Sequence, residues 1–145
     1  VVLDLYAGAG TLGIECLSRG AARCVFVDTN RAACRVINAN IDALGFSGVA
    51  EVVCKSAAAA LAGKHRVVSE RGPYDLVFAD PPYDLGAWPG VLTAVVSSPA
   101  VSREALIVIE HSSRTPTPPT PDGLELVRQS TYGDTGLSFY QFTSR

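Results

Sequence analysis

The chain contains no methionine and a single tryptophan. It has no initiator residue and opens directly on the apolar run Val1-Val2-Leu3, the start of a strand that should be buried. Further N-terminal material is therefore expected ahead of residue 1. Charge is sparse too, at 18% of residues against 48% hydrophobic. That balance excludes a disordered chain. No apolar run approaches the roughly 18–20 residues a membrane helix needs, and no charged-then-apolar leader with a small-residue cleavage site is present. The 145 residues fit one domain with one buried core. A cytoplasmic monomer with no membrane association is expected.

Metal and disulfide chemistry also lack their usual signatures. Cys16, Cys24, Cys34 and Cys54 form no Cys-x-x-Cys pair, and neither His65 nor His111 falls at ligand spacing. The four read as small buried thiols in a reducing compartment, with no metal site. A net charge of −2 is low for a protein that contacts phosphate. Any basic contacts must be local or lie in the expected N-terminal segment.

Apolar runs alternate with helical spacing along the chain. Strands are predicted over residues 1–5, 24–27, 49–54, 75–79 and 105–109. Helices are predicted over residues 12–19, 31–44, 56–62 and 88–97, with Asn30 as an N-cap and Gly20 and Gly45 past helix ends. Near-continuously apolar strands separated by helices indicate a parallel sheet covered on both faces. Four prolines between Arg114 and Asp122 exclude a regular helix there. Strands over 124–131 and 137–142, with a turn at Gly133-Asp134, read as an antiparallel hairpin added to the sheet. The Lys64-His65-Arg66 cluster reads as a solvated loop.

The first strand leads into Gly8-Ala9-Gly10-Thr11-Leu12-Gly13, a G-x-G-x-x-G run between strand and helix. Glycine there lets the backbone turn sharply and approach a ligand closely. Asp28 ends the second strand and can accept hydrogen bonds from both ribose hydroxyls of an adenosine cofactor. Asp4 separates the candidate cofactors. A carboxylate just before the loop would repel a pyrophosphate, which argues against NAD. S-adenosylmethionine carries no phosphate, and its ammonium and sulfonium would be favoured there.

The fourth strand ends in Asp80-Pro81-Pro82-Tyr83, beyond the carboxyl edge where such sheets bind ligands. Two prolines make the loop rigid. Asp80 and the Pro81 carbonyl can each accept one N–H of an amine, which turns the nitrogen lone pair toward a methyl donor. Tyr83 offers a ring on which a base can stack. An exocyclic base amine is a poor nucleophile and a sulfonium methyl a strong electrophile, so alignment and electrostatic support carry the catalysis.

These motifs resemble the class I methyltransferases with an Asp/Asn-Pro-Pro-aromatic motif. More closely, the chain resembles the bacterial RsmD-type family, which methylates the N2 amine of a guanine in small-subunit ribosomal RNA. The likeness runs from Leu3-Asp4-Leu5-Tyr6-Ala7-Gly8-Ala9-Gly10-Thr11-Leu12-Gly13-Ile14-Glu15 through Val27-Asp28, Asp80-Pro81-Pro82-Tyr83 and Ile109-Glu110. It ends in the tail Tyr132-Gly133-Asp134-Thr135-Gly136-Leu137-Ser138-Phe139-Tyr140, which points to the RsmD-like branch. The resemblance implies a Rossmann-like α/β sandwich with a seven-stranded, mostly parallel sheet, a C-terminal antiparallel hairpin and helices on both faces. It implies that Asp4, Ala7, Gly8 and Gly10 line the methionine end of S-adenosylmethionine, that Asp28 holds the ribose, and that Thr29 lies beside the adenine. Asp80, Pro81 and Tyr83 would hold the target base, with Asp80 also near the cofactor. Many such enzymes bind the adenine amine with an acid after the third strand. Here that position reads Lys55-Ser56-Ala57, leaving Ser56, Ala57 or a backbone group. The product would be S-adenosylhomocysteine, and the partner ribosomal RNA in the small subunit. The alternatives are adenine N6 in DNA or RNA, a protein glutamine amide and, from another class, an NAD-dependent oxidoreductase. Arg114 and Arg128 are candidate phosphate contacts, Trp88 reads as core cover, and a structural role is expected for both histidines.

Overall fold

The computed structural model describes residues 1–83 and 86–144. Five parallel strands come first, each built from a short apolar run: β1 Val2–Leu5, β2 Cys24–Val27, β3 Ala50–Val53, β4 Tyr74–Ala79 and β5 Val101–Ser112. The hairpin strands β6 Leu124–Tyr132 and β7 Thr135–Phe142 complete the sheet. The helices are α1 Thr11–Ser18, α2 Arg31–Ala43, α3 Ala57–Leu61, α4 Arg66–Arg71 and α5 Ala87–Ser97. The sheet order is β3-β2-β1-β4-β5-β7-β6, with β7 antiparallel to both its neighbours. This is the expected seven-stranded Rossmann-like sheet with its terminal hairpin.

Strand alternation sorts the core onto the two faces. Leu3, Leu5, Val25 and Val27 pack with α3, α4 and α5 through Leu61, Val68 and Leu92. Val2, Cys24 and Phe26 pack with α1 and α2 through Leu17, Ile37 and Ile41. Each such aliphatic side chain, taken fully out of water, contributes roughly 1.5–3 kcal/mol. No helix among the described residues is long and apolar enough to cross a membrane.

Local chemistry fixes the ends of the elements. Asn30 accepts the Ala33 N–H at 3.1 Å, as an N-cap should. The hairpin turns on Gly133-Asp134, with Gly133 at φ 61° and Tyr132 paired to Thr135. Two expectations need correction. Lys64-His65-Arg66 is not a plain loop, because Arg66 opens α4. Six residues are too few to show a helical period. The fifth strand runs to Ser112, well past its apolar run. Its pairing with β7 from Leu106 to Ser112 holds polar residues in extended form.

Candidate active site

The parallel strands end level. Leu5 pairs with Val27 and with Ala79, Val27 with Val53, and Ala79 with Ile109. The next residue of each strand therefore falls on one edge: Tyr6, Asp28, Cys54, Asp80 and Glu110. The strand order reverses between β1 and β4, which opens a crevice at that edge.

The glycine loop rises from β1 into this crevice. Tyr6 takes a left-handed φ of 55° despite its side chain, a conformation that costs roughly 1–2 kcal/mol. Hydrogen bonds from the Ala7 N–H to the Val27 carbonyl (3.0 Å) and from the Gly10 N–H to the Ala7 carbonyl (2.8 Å) hold the turn. The glycines serve different ends. Gly8 has a φ of 60° and open space where a Cβ would point, so it frees the backbone toward the crevice. A Cβ on Gly13 would strike Phe26 and lie 2.7 Å from the Cys24 sulfur, so Gly13 lets α1 sit against β2.

Two carboxylates brace the loop. Asp28 accepts the Gly8 N–H at 2.9 Å and the Asn30 N–H at 2.8 Å. Asp4 lies on the α1 side of the sheet, 2% exposed, and accepts the Gly13 N–H at 3.1 Å. Burial pushes the Asp4 carboxyl up to about 7 against the pull of that hydrogen bond, and the charges of Asp28 and Asp80 add to the rise. Asp4 thus lies beneath the loop, not in the open crevice.

Asp80 is exposed at the end of β4, and Pro81 turns inward while Tyr83 stands 82% exposed. Glu110, beside Asp80 on β5, has its carboxyl raised by burial, by a hydrogen bond with Asp80 and by that neighbour's charge. Sequence reasoning places Glu110 in a motif and gives it no role. A signal is available, since it comes directly after the last apolar residue of a strand adjacent to β4. Asp28, Asp80 and Glu110 converge here with Asp4 buried beneath the loop, and among the described residues none of the four has an ion-pair partner. The crevice is therefore negative. It suits a cation and disfavours a pyrophosphate.

The third-strand end is less committed. The Ser56 hydroxyl accepts the Ala59 N–H at 3.1 Å as the cap of α3, and Ala57 is buried beneath it. Thr29 is exposed, and its carbonyl accepts from the Cys54 thiol at 3.6 Å. His111 stacks on Trp88 with ring centroids 4.0 Å apart.

A family model described as "Conserved hypothetical protein 95" matches residues 1–141. The chain belongs to this family, the RsmD-type methyltransferases. It is 36% identical to YlbH of Bacillus subtilis over 96% of its own length and 74% of that protein's. It is 32% identical to Ribosomal RNA small subunit methyltransferase D of Escherichia coli K12, over 96% of this chain and 67% of that one. The solved structure of yhhF from Escherichia coli superposes with a TM-score of 0.83 at 29% identity, covering 99% of this chain and 77% of that chain. Family membership removes the NAD-dependent oxidoreductase from consideration.

Proposed function

We propose that this RsmD-type methyltransferase transfers the methyl group of S-adenosylmethionine to the exocyclic N2 amine of a guanine in small-subunit ribosomal RNA. The observation that carries the cofactor is the convergence of the Asp28, Asp80 and Glu110 carboxyls at the strand ends beside an open glycine turn, with Asp4 buried beneath it. A donor set of that sign fits a sulfonium and an ammonium. Asp28 would hold the ribose, Ala7, Gly8 and Gly10 the methionine end, and Thr29, Ser56 and Ala57 the adenine. Asp4 would act through its field from under the loop. When bound, S-adenosylmethionine supplies an activated methyl on a neutral leaving group.

The chain's own part is alignment. Asp80 accepts one N–H of the target amine and the Pro81 carbonyl accepts the other, so the lone pair faces the methyl carbon. Tyr83 supports the base by stacking. As the C–N bond forms and the C–S bond breaks, the nitrogen becomes acidic and gives its proton to Asp80 or to water. The Glu110 carboxyl beside Asp80 is raised by burial and by that neighbour, so it is harder to ionise than an ordinary glutamate. The name of the Escherichia coli relative supports ribosomal RNA as substrate.

The test is tritiated methyl transfer by the full-length protein to naked small-subunit RNA and to small-subunit particles, with nucleoside analysis of the product. N2-methylguanosine is expected. Methyladenosine would move the target to adenine N6, and label in protein would move it to a glutamine amide. Calorimetry should give binding of S-adenosylhomocysteine, and binding of NAD alone would refute the cofactor.

A further inference from the structure

A cleft of about 420 Å³ adjoins the Asp80-Pro81-Pro82-Tyr83 loop on the side away from the glycine turn, lined by Pro81, Tyr83, Trp88, His111, Arg114 and Pro116 among others. Its walls are two proline-rich segments and the start of α5. Tyr83 and Arg114 also border a second opening of about 430 Å³, so the tyrosine ring stands between two cavities. We propose that this cleft is a second nucleobase subsite. It would hold the nucleotide that flanks the target in the RNA, with Arg114 on its phosphate.

The ring nitrogens of His111, which lines the cleft, are already spent within the protein. His111 Nδ1–H donates to the Ser112 carbonyl at 2.9 Å, so Nε2 accepts from the Ser138 hydroxyl at 2.8 Å. The Ser138 oxygen in turn accepts from the Gln129 amide at 3.0 Å, and the same amide donates to the Thr117 hydroxyl at 2.8 Å. With both ring nitrogens used and one face stacked on Trp88, His111 presents no polar edge to a base, and the stacking ring is that of Tyr83. Such a site stacks a base without reading its sequence.

The cleft is also built in advance. The connector after β5 is pinned by hydrogen bonds from the Ser113 N–H to the Asp134 carbonyl (2.8 Å) and from the Thr115 N–H to the Ser112 carbonyl (3.1 Å). The Ser113 hydroxyl bonds the Gly133 carbonyl at 3.0 Å. Prolines at 116, 118 and 119 stiffen the rest of the connector. Arg114 is the lining cation. Among the described residues it pairs with Asp134, at 3.5 Å between side chains that are 86% and 89% exposed. A pair so solvated is worth little and yields readily to a phosphate. Continuity with Tyr83 fixes the occupant as the next nucleotide of the same strand.

The subsite rests on the reading of the enzyme as an RNA methyltransferase, and the experiment separates the two. Full-length wild-type, Arg114→Gln and Arg114→Lys enzymes are assayed for methyl transfer to small-subunit RNA, and wild-type complexes are cross-linked by ultraviolet light and mapped by peptide. Arg114→Gln should raise KM for RNA about tenfold, the loss of one charged hydrogen bond, with kcat within about twofold. It should lower the slope of log affinity against log salt by about one. Arg114→Lys should restore most of both. Adducts should fall in residues 81–89 or 111–118, on the nucleotide next to the methylated one. Transfer to RNA with KM and salt slope unchanged in Arg114→Gln would overturn the subsite and leave the enzymatic reading intact. So would adducts confined elsewhere, or a protein segment cross-linked into the cleft. Failure of the wild-type enzyme to methylate RNA would overturn the reading and the subsite with it.

Discussion

Glu110 stands one strand over from Asp80, carried there by the pairing of Ala79 with Ile109, and its carboxyl is raised by burial and by that neighbouring carboxyl. In the proposed reaction Asp80 would meet the target amine as an acceptor with that second carboxyl beside it.

Removing Asp80 and neutralising Glu110 should have different consequences. Asp80→Ala takes away the acceptor itself and should lower kcat on the order of 10²–10³-fold. Its affinity for S-adenosylhomocysteine by calorimetry should change by no more than a few fold, because the glycine turn and Asp28 are untouched. Glu110→Gln keeps a hydrogen-bond donor beside Asp80 and should cost less than about tenfold in kcat. Equal losses in the two variants would mean that Glu110, not Asp80, touches the amine.

Asp4 gives a pH prediction with a definite sign. Its folded value of about 7 lies above the ordinary 3.8. The folded state therefore binds the extra proton between those limits. The favourable contribution of the protonated form is complete below the ordinary value and is lost as pH rises through 7. Asp4→Asn keeps an acceptor for the Gly13 N–H and carries no charge. Its unfolding free energy in urea should already exceed wild type by about 1–2 kcal/mol at pH 5, where the unfolded carboxyl has ionised and the folded one has not. At pH 8.5 it should exceed wild type by on the order of a few kcal/mol. A variant no more stable than wild type at the higher pH would refute the burial of an unpaired charge. Cofactor binding should run the other way in wild type and tighten as pH rises toward 8, because a bound cation stabilises the carboxylate.

Much of the fold and the site is legible in the sequence because it is local. Continuous apolar runs mark the five parallel strands, and Gly133-Asp134 marks the hairpin turn. The glycine pattern, Asp28 and Asp80 all fall at strand ends, where register alone brings them together. The features that escape depend on neighbours distant in sequence. The length of β5 is set by β7, and the role of Glu110 by β4. Asp4 also carries a contact that its position in the sequence does not show, because alternation from Val2 puts it on the α1 side, where it accepts the Gly13 N–H. Helix α4 is too short to show a period. Tyr6 gives no hint of its left-handed backbone, since only the fold imposes it.

The glycines of the turn should differ in what they cost to replace. Gly13→Ala puts a methyl into Phe26 and the Cys24 sulfur. Overpacking of this kind costs about 1–3 kcal/mol, and for a chain of this size each kcal/mol lowers Tm by roughly 2–4 °C. Gly8→Ala meets open space and carries only the strain of its positive φ, about 1 kcal/mol. The methyl on Gly8 would instead project where the cofactor is expected. Thermal melts should therefore fall further for Gly13→Ala, and affinity for S-adenosylhomocysteine should fall further for Gly8→Ala. The reverse ranking would place the ligand away from the turn.

Tyr83 offers the plainest separation of stability from function. At 82% exposure its ring packs against little, so Tyr83→Ala should leave unfolding free energy within about 0.5 kcal/mol of wild type. If the ring stacks on a base, its loss should weaken RNA binding by about 1–3 kcal/mol, read as a rise in KM of roughly five- to a hundredfold. Tyr83→Phe keeps the ring and removes only the hydroxyl, so its KM should stay within about twofold of wild type. Tyr83→Leu keeps comparable apolar bulk without a π face and should resemble the alanine variant. A leucine variant as good as wild type would make Tyr83 a hydrophobic wall, and a phenylalanine variant as poor as alanine would move the interaction to the hydroxyl. Either outcome would remove stacking from the account of how the base is held.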